Sequence, residues 1–194
     1  DEAGRDTEHG QDLALIAEQA DRCKRIVSGL LNFARQNQVN RRPVELRELA
    51  EQALRSVRKP DGIKVRIEVA GGDLNAELDR DQMVQVLTNM VANAYEAMPG
   101  GGTLTIAASL AGDRAVFRVA DTGVGVPPAN MGRLFTPFFT TKPMGKGTGL
   151  GLAVSYGIVK MHHGDITVES NADPAAGPTG TTFTISVPRQ GRTE

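Results

Sequence analysis

Between residues 13 and 34, Leu13, Ile16, Ala20, Cys23, Val27, Leu30 and Ala34 recur at spacings of 3, 4, 3, 4, 3 and 4. A seam of that period belongs to a helix that lies against other helices. Ile26, Leu31 and Phe33 widen the stripe beyond a two-stranded zipper, which favours a four-helix bundle. One helix cannot bury its own stripe, so its partners lie in another chain or in a segment outside this one. The expected organisation is therefore a leader and bundle helix over 1–36, a polar linker over 37–43, and a separate globular domain over 44–190. The composition of Gln36–Pro43 suits a connection that lets helix and domain move relative to each other.

The globular part can carry its own core. A domain of about 150 residues buries roughly 70% of the surface its unfolded chain exposes, with no need of a disulfide or metal staple. The formal net charge of −1 argues against a protein that coats nucleic-acid phosphates. The single cysteine, Cys23, offers neither an internal disulfide nor a zinc framework, so a reducing, cytoplasmic setting is expected. No apolar run approaches the roughly 20 residues that span a bilayer. The start at Asp1 without a Met suggests a fragment, with any membrane anchor in an upstream segment.

After the linker, Leu46, Leu49, Ala50, Ala53, Leu54 and Val57 outline an amphipathic helix. Alternation at Ile63, Val65, Ile67 and Val69 gives a half-buried strand, and Asn75–Leu78 a short one. Asp79 can cap the next helix with Gln82 three residues on, a variant of the capping box. That helix stops at Pro99-Gly100-Gly101-Gly102. Strands follow at 103–109 and 114–120, then a Gly/Pro-rich loop over 121–147, a helix to about His163, and strands near 165–170 and 181–187. The expected fold is an α/β two-layer sandwich: one mixed sheet with helices on one face.

Three segments carry chemistry. On the helix from Asp79 to Met98, Gln85, Asn89, Asn93 and Glu96 recur at spacings of 4, 4 and 3 and form one polar stripe. Asn is a weak helix former, yet its amide oxygen is a hard ligand suited to Mg²⁺, which shares phosphate oxygens and keeps waters. Asp121-Thr122-Gly123-Val124-Gly125 ends a strand with a carboxylate that could accept from the exocyclic amine of adenine, while the glycines let the base approach the main chain. Gly145 to Leu152 (GKGTGLGL) runs directly into a helix, whose N-terminal N–H groups and dipole favour phosphate. It is neither a P-loop nor a dinucleotide fingerprint.

In this order and spacing the segments resemble the nucleotide-binding boxes of the ATPase superfamily that includes histidine kinases, DNA gyrase, Hsp90 and the MutL repair proteins. QVLTNMVANAYEAM resembles the asparagine box, DTGVGVP and GKGTGLGL the two glycine boxes, and Leu134–Lys142 (LFTPFFTTK) the phenylalanine box of histidine kinases. The resemblance covers about 44–188. Gln19–Arg35 is similar to the second helix of the dimerisation and phosphotransfer domain of nitrogen-regulation-type sensor kinases, and FFTTK points to the same branch.

The resemblance implies a Bergerat-type ATP-binding fold that takes ATP or ADP with Mg²⁺. Asn93 would coordinate the metal, with Asn89 supporting metal and phosphates; Asp121 would read adenine beside Gly123 and Gly125. Lys142, with Lys146 as second candidate, would meet the phosphates, and Gly147, Thr148, Gly149, Leu150 and Gly151 would form the phosphate side of the lid. Thr182 belongs to the implied nucleotide set. Phe135, Phe138 and Phe139 would anchor the lid. Where gyrase and Hsp90 relatives carry a water-activating glutamate, this chain has Asn89, which favours transfer to a protein side chain over hydrolysis. Glu96 stands where many histidine kinases have a basic residue, and a carboxylate there would repel phosphate unless it faced the metal's waters.

Phosphoryl transfer needs an acceptor. None of the three histidines, His9, His162 and His163, sits in an H-[ED]-x-[NT]-P setting, so the acceptor histidine is expected outside this chain. Expected partners are the response-regulator receiver domain and a second copy through the bundle helix. Two other readings share the fold: a serine kinase of the anti-sigma type, and a nucleotide-gated interaction module without transfer.

Overall fold

The computed structural model describes residues 39–69, 74–142 and 147–190. The expected bundle helix, with Cys23 and His9, lies outside the described residues, as does Lys146. In chain order the described elements are β1 (Arg42–Glu45), α1 (Leu46–Arg55), β2 (Ile63–Val69), β3 (Asn75–Leu78), α2 (Arg80–Ala97), β4 (Gly102–Ala111), β5 (Arg114–Asp121), α3 (Pro128–Met131), α4 (Gly151–Met161), β6 (Asp165–Asn171) and β7 (Gly180–Pro188).

Five strands form one sheet in the order β2-β4-β5-β7-β6. β2 runs parallel to β4 and the other pairs are antiparallel, so the sheet is mixed. Residues directly opposite on neighbouring strands share a face. Leu104, Ile106 and Ala108 of β4, Ala115, Phe117 and Val119 of β5, and Phe183, Ile185 and Val187 of β7 are all buried on one side. Against them pack Leu46, Leu49, Ala50 and Ala53 of α1, Met83, Leu87, Met90 and Val91 of α2, and Val154, Ile158 and Val159 of α4. The intervening residues, such as Val116, Arg118, Thr182 and Thr184, face the other way and are half-buried or exposed. This is the expected two-layer sandwich with helices on one face.

β1 was not expected. Pro43 and a single apolar residue, Val44, hide a strand from a pattern search. Arg42–Glu45 nevertheless pairs antiparallel with Asn75–Leu78 in a two-stranded sheet of its own, where Pro is tolerated at an edge. The domain therefore begins before the expected boundary at 44. Just ahead of β1, the Asn40 N–H donates to Oδ2 of Asp79 (3.0 Å), and Arg41 donates to the His162 carbonyl (3.2 Å). The described part of the expected linker is thus hydrogen-bonded to the domain.

Asp79 caps α2 as expected, its Oδ1 accepting from the Gln82 N–H at 3.1 Å. Gln82 does not return the bond; its Oε1 is buried with no hydrogen-bond partner among the described residues. The Asp79 N–H goes instead to Nε2 of His162 at 3.2 Å. Nδ1 of His162 lies 2.9 Å from the Ile158 carbonyl. A carbonyl only accepts, so Nδ1 carries the proton and Nε2 is free to accept. The ring is fully buried, and burial holds its pKa below the usual histidine value. This neutral imidazole joins the C-terminal end of α4 to the cap of α2.

Candidate functional site

The polar stripe of α2 is real: Gln85, Asn89, Asn93 and Glu96 all face a cavity of about 920 Å³. Its other walls are the end of β5 with the loop behind it (Asp121, Val124–Pro127), Phe139–Lys142, the segment entering α4 (Gly147–Leu152), and Thr181 with Phe183 of β7. Amides cannot pack against an apolar sheet, so α2 keeps one flank open while the opposite flank fills the core.

The α4 side orients Asn89. Its Nδ2 donates to the Gly151 carbonyl and to Ser155 Oγ, each at 3.1 Å. Ser155, fully buried, has already given its own hydroxyl proton to the Gly151 carbonyl at 2.8 Å. Because Gly151 O only accepts, the amide nitrogen must face α4, which turns Oδ1 of Asn89 the other way. One turn later, Oδ1 of Asn93 lies 3.5 Å from Nζ of Lys142. The same ammonium pairs with Oε2 of Glu96. The carboxylate expected to repel phosphate is therefore occupied by a cation.

Asp121 closes β5 on the helix-covered side of the sheet. It is 9% exposed, and its Oδ1 accepts from the Gly123 N–H at 2.8 Å. Burial pushes its pKa above the usual aspartate value, opposed by the backbone N–H groups of Gly123 and Thr181. Beside it, Ser170 Oγ accepts from the Val126 N–H (2.8 Å) and donates to the Gly180 carbonyl (2.8 Å). With that proton used, the Thr181 hydroxyl must be the donor in its 2.9 Å contact with Ser170 Oγ. Its lone pairs stay available next to the Asp121 carboxylate. A carboxylate and a hydroxyl acceptor side by side, both in the cavity wall, suit a ligand that brings an amine.

Thr182 does not join this group. The register sets Asp121 opposite Thr181 and Thr181 opposite Ser170, whereas Thr182 lies opposite Ala120 and Glu169 on the open face of the sheet. The threonine of the cavity is Thr181. Parity within β7 already separates the two, since Thr181 shares the side of Phe183, Ile185 and Val187.

The glycines after Asp121 lie tight against other segments of the chain. A Cβ on Gly123 would come within 2.5 Å of the Ala97 carbonyl oxygen. Gly125 has φ +71°, and a Cβ there would stand 2.0 Å from the Asn171 carbonyl oxygen. Both seat the loop against protein, at the end of α2 and the end of β6. Of the two, Gly125 lines the cavity.

Gly147, Thr148, Gly149, Leu150 and Gly151 all line the cavity, as expected. Gly149 (φ +65°) allows its carbonyl to accept from the Phe138 N–H at 2.9 Å. A Cβ on it would overlap Phe138 C at 2.4 Å. The phenylalanines divide. Phe135 stacks on Tyr156 of α4 with centroids 5.3 Å apart, and Phe139 lies under Arg133 at 4.4 Å. Phe138 is 56% exposed and holds the segment through its backbone, so its side chain is not an anchor. Thr181, Ser170 and Ser155 are the site residues that sequence reading missed.

No group of three or more His, Cys, Asp or Glu side chains gathers among the described residues. The α2 stripe turns carboxamide oxygens toward the cavity, with Oδ1 of Asn93 already drawing a cation, the Lys142 ammonium. Such neutral, hard donors fit a cation whose remaining ligands come from elsewhere.

Residues 78–191 match the model of the family described as histidine kinase-, DNA gyrase B-, and HSP90-like ATPase. Among curated proteins, the chain is 35% identical to sensor kinase CckA of Brucella abortus over 92% of its own length and 20% of that protein. It is 34% identical to the sensor histidine kinase ZraS of Escherichia coli over 90% of its length and 37% of that protein. The chain thus spans well under half the length of these relatives. Among solved structures, it resembles a mycobacterial sensor histidine kinase, MprB, with TM-score 0.67 and 30% identity, covering 77% of this chain and 98% of that one. It also resembles histidine kinase ThkA, solved in complex with response regulator protein TrrA, with TM-score 0.70 and 26% identity over 90% of this chain and 49% of that one.

Proposed function

Since this chain belongs to the histidine kinase-, DNA gyrase B-, and HSP90-like ATPases, we propose that it is the ATP-binding catalytic part of a sensor histidine kinase. It transfers the γ-phosphoryl group of ATP to a histidine outside this chain, for relay to an aspartate of a response regulator. The observation that carries the reading is one cavity that brings together the Asn89/Asn93 stripe, the N-terminus of α4 and the buried Asp121. The first two suit phosphates and the third suits an adenine amine.

Each residue has a chemical task. Asp121 and Thr181 accept from the exocyclic amine of the base. The first-turn N–H groups of α4 lack intrahelical partners and, with the helix dipole, receive phosphate oxygens. Lys142 supplies a mobile positive charge to the phosphates, and Lys146 is the second candidate. Mg²⁺ bound with the nucleotide would take Oδ1 of Asn93, with Asn89 behind it, and would neutralise charge on the phosphates. Asn89 has no basic group to activate water, and its Nδ2 is committed to α4. That chemistry favours transfer over hydrolysis. The names of ZraS and MprB, both sensor histidine kinases, support a histidine rather than a serine acceptor.

We propose further that two copies pair through the bundle helix expected over 13–34, that a receiver domain is the partner, and that the protein belongs to the nitrogen-regulation branch and works in a cytoplasmic setting. The ThkA–TrrA complex supports the partner, and FFTTK the branch. Among the described residues no helix is long and apolar enough to cross a membrane. The test is calorimetry of the 194-residue chain with ADP and a non-hydrolysable ATP analogue, with and without Mg²⁺. Binding strengthened by Mg²⁺ is expected, and no binding would refute the reading. Label from ATP appearing on the isolated chain would overturn the external acceptor.

A further inference from the structure

Glu96 and Lys142 are the feature that the site's chemistry leaves unexplained. Glu96 lies three residues after Asn93, on the same stripe of α2, while Lys142 comes from the segment after Phe139. The two charges meet at the mouth of the cavity, with Glu96 51% and Lys142 35% exposed, and the ammonium also reaches Oδ1 of Asn93. Among the described residues lining the cavity, Lys142 bears the only positive charge; Glu96 and Asp121 bear negative ones. A ligand carrying several phosphate charges therefore meets a lining whose one described cation already has a carboxylate partner.

We infer that Glu96 competes with the phosphates of the bound nucleotide for Lys142, and so sets how tightly the phosphate end is held. The inference rests on the reading of the cavity as an ATP site. Without ligand, Glu96 and Asn93 keep the ammonium on the α2 wall. When phosphates arrive, Lys142 must leave or share Glu96, and the nucleotide's affinity is lowered by whatever that pair contributed. Glu96 is thus a positioning residue, acting on the ligand through Lys142. Its cost falls on the phosphates alone, because Asp121 and Thr181 at the base-reading end do not touch the pair.

The strength of the effect follows from exposure. A partly exposed ion pair contributes little, so releasing Lys142 should change the dissociation constant about two- to fivefold. The experiment is a double-mutant cycle on the 194-residue chain, read by calorimetry with ADP and with adenosine, in EDTA at low ionic strength. The proteins are the unmodified chain, Glu96→Gln, Lys142→Met and the double variant. ADP should bind about two- to fivefold more tightly to Glu96→Gln than to the unmodified chain. In the Lys142→Met background the same change should give less than half of that gain. Adenosine should bind all four alike. An equal gain in both backgrounds would mean that Glu96 merely repels phosphate, and would overturn the inference. So would the absence of any gain, or a parallel change for adenosine. If the unmodified chain binds neither ligand, the ATP-site reading falls first. Binding with a flat cycle removes only the role given to Glu96.

Discussion

Asp121→Asn should separate binding from stability with opposite signs. Asp121 is 9% exposed, and burial raises its pKa even though two backbone N–H groups oppose the shift. The folded protein at neutral pH thus holds a carboxylate in a place that disfavours its charge. Asparagine keeps the acceptor for the Gly123 N–H, now 2.8 Å away, and removes the charge. For stability, a raised folded pKa means a contribution present at low pH and lost as pH rises through the folded value. The variant should therefore be as stable as the unmodified chain, or more so, at pH 7. That difference should vanish as pH falls below the ordinary aspartate value of about 4. Binding moves the other way. With Oδ1 fixed on Gly123, the amide presents Nδ2 where the adenine amine needs an acceptor. Losing a hydrogen bond to a charged group costs about 1.5–3 kcal/mol, or roughly ten- to a hundredfold in affinity. Because the lesion is at the base, adenosine and ADP should lose equally. Calorimetry and urea melts at pH 7 and pH 4 measure both arms. Unchanged ADP affinity, or a clear loss of stability at pH 7, would refute the assignment.

Three further outcomes follow from the same geometry. His162→Phe leaves the buried Asp79 N–H without its acceptor, while the Ile158 carbonyl keeps the His162 N–H. Urea melts should show a loss of about 1–3 kcal/mol at pH 8. Because burial depresses the His162 pKa, its contribution is present above about pH 6.5 and lost below it, so the gap between the two proteins should shrink on acidification. Gly125→Ala must adopt φ +71° and fit a Cβ 2.0 Å from the Asn171 carbonyl; thermal melts should show about 2–4 kcal/mol of destabilisation. Asn93→Ala should make ADP affinity insensitive to Mg²⁺ in calorimetry, with the melting temperature little changed.

Elements with strong periodicity were legible along the chain. α2, with its cap at Asp79 and its stop at the glycine run, and the strands β2, β4, β5, β6 and β7 all stand close to where their patterns put them. So was the convergence of the asparagine stripe, Asp121 and the glycine-rich entry to α4 on one cavity. What failed to show was partnership across the fold. Glu96 read alone is a repulsive carboxylate, and only the approach of a residue 46 positions away makes it half of an ion pair. His162 read alone is a histidine outside any acceptor motif, yet the structure buries it neutral as an acceptor for a residue 83 positions away. The glycines of the first glycine box suggested room for a ligand, whereas their missing Cβ atoms make room for Ala97 and Asn171. Thr181 is the exception, because the alternation of β7 was enough to choose it over Thr182.

The cavity persists because each wall is satisfied by protein before any ligand comes. Mid-helix asparagines would ordinarily weaken α2, but Asn89 is bound by the first turn of α4, and Ser155 completes that contact from below. The amide is thereby fixed with its oxygen turned away from α4, and no rotamer has to be ordered when a cation or phosphate arrives. At the base-reading end, Ser170 does the same for Thr181, using its own proton on Gly180 so that the threonine must donate inward to it. Both arrangements move the hydrogen-bond directionality problem one residue back from the ligand. Lys142 is held differently. Its partners, Glu96 and Asn93, are themselves on the ligand-facing stripe, so its interaction must be exchanged on binding. The fixed groups can supply recognition, and the exchangeable pair is the natural place for affinity to be adjusted without disturbing the core.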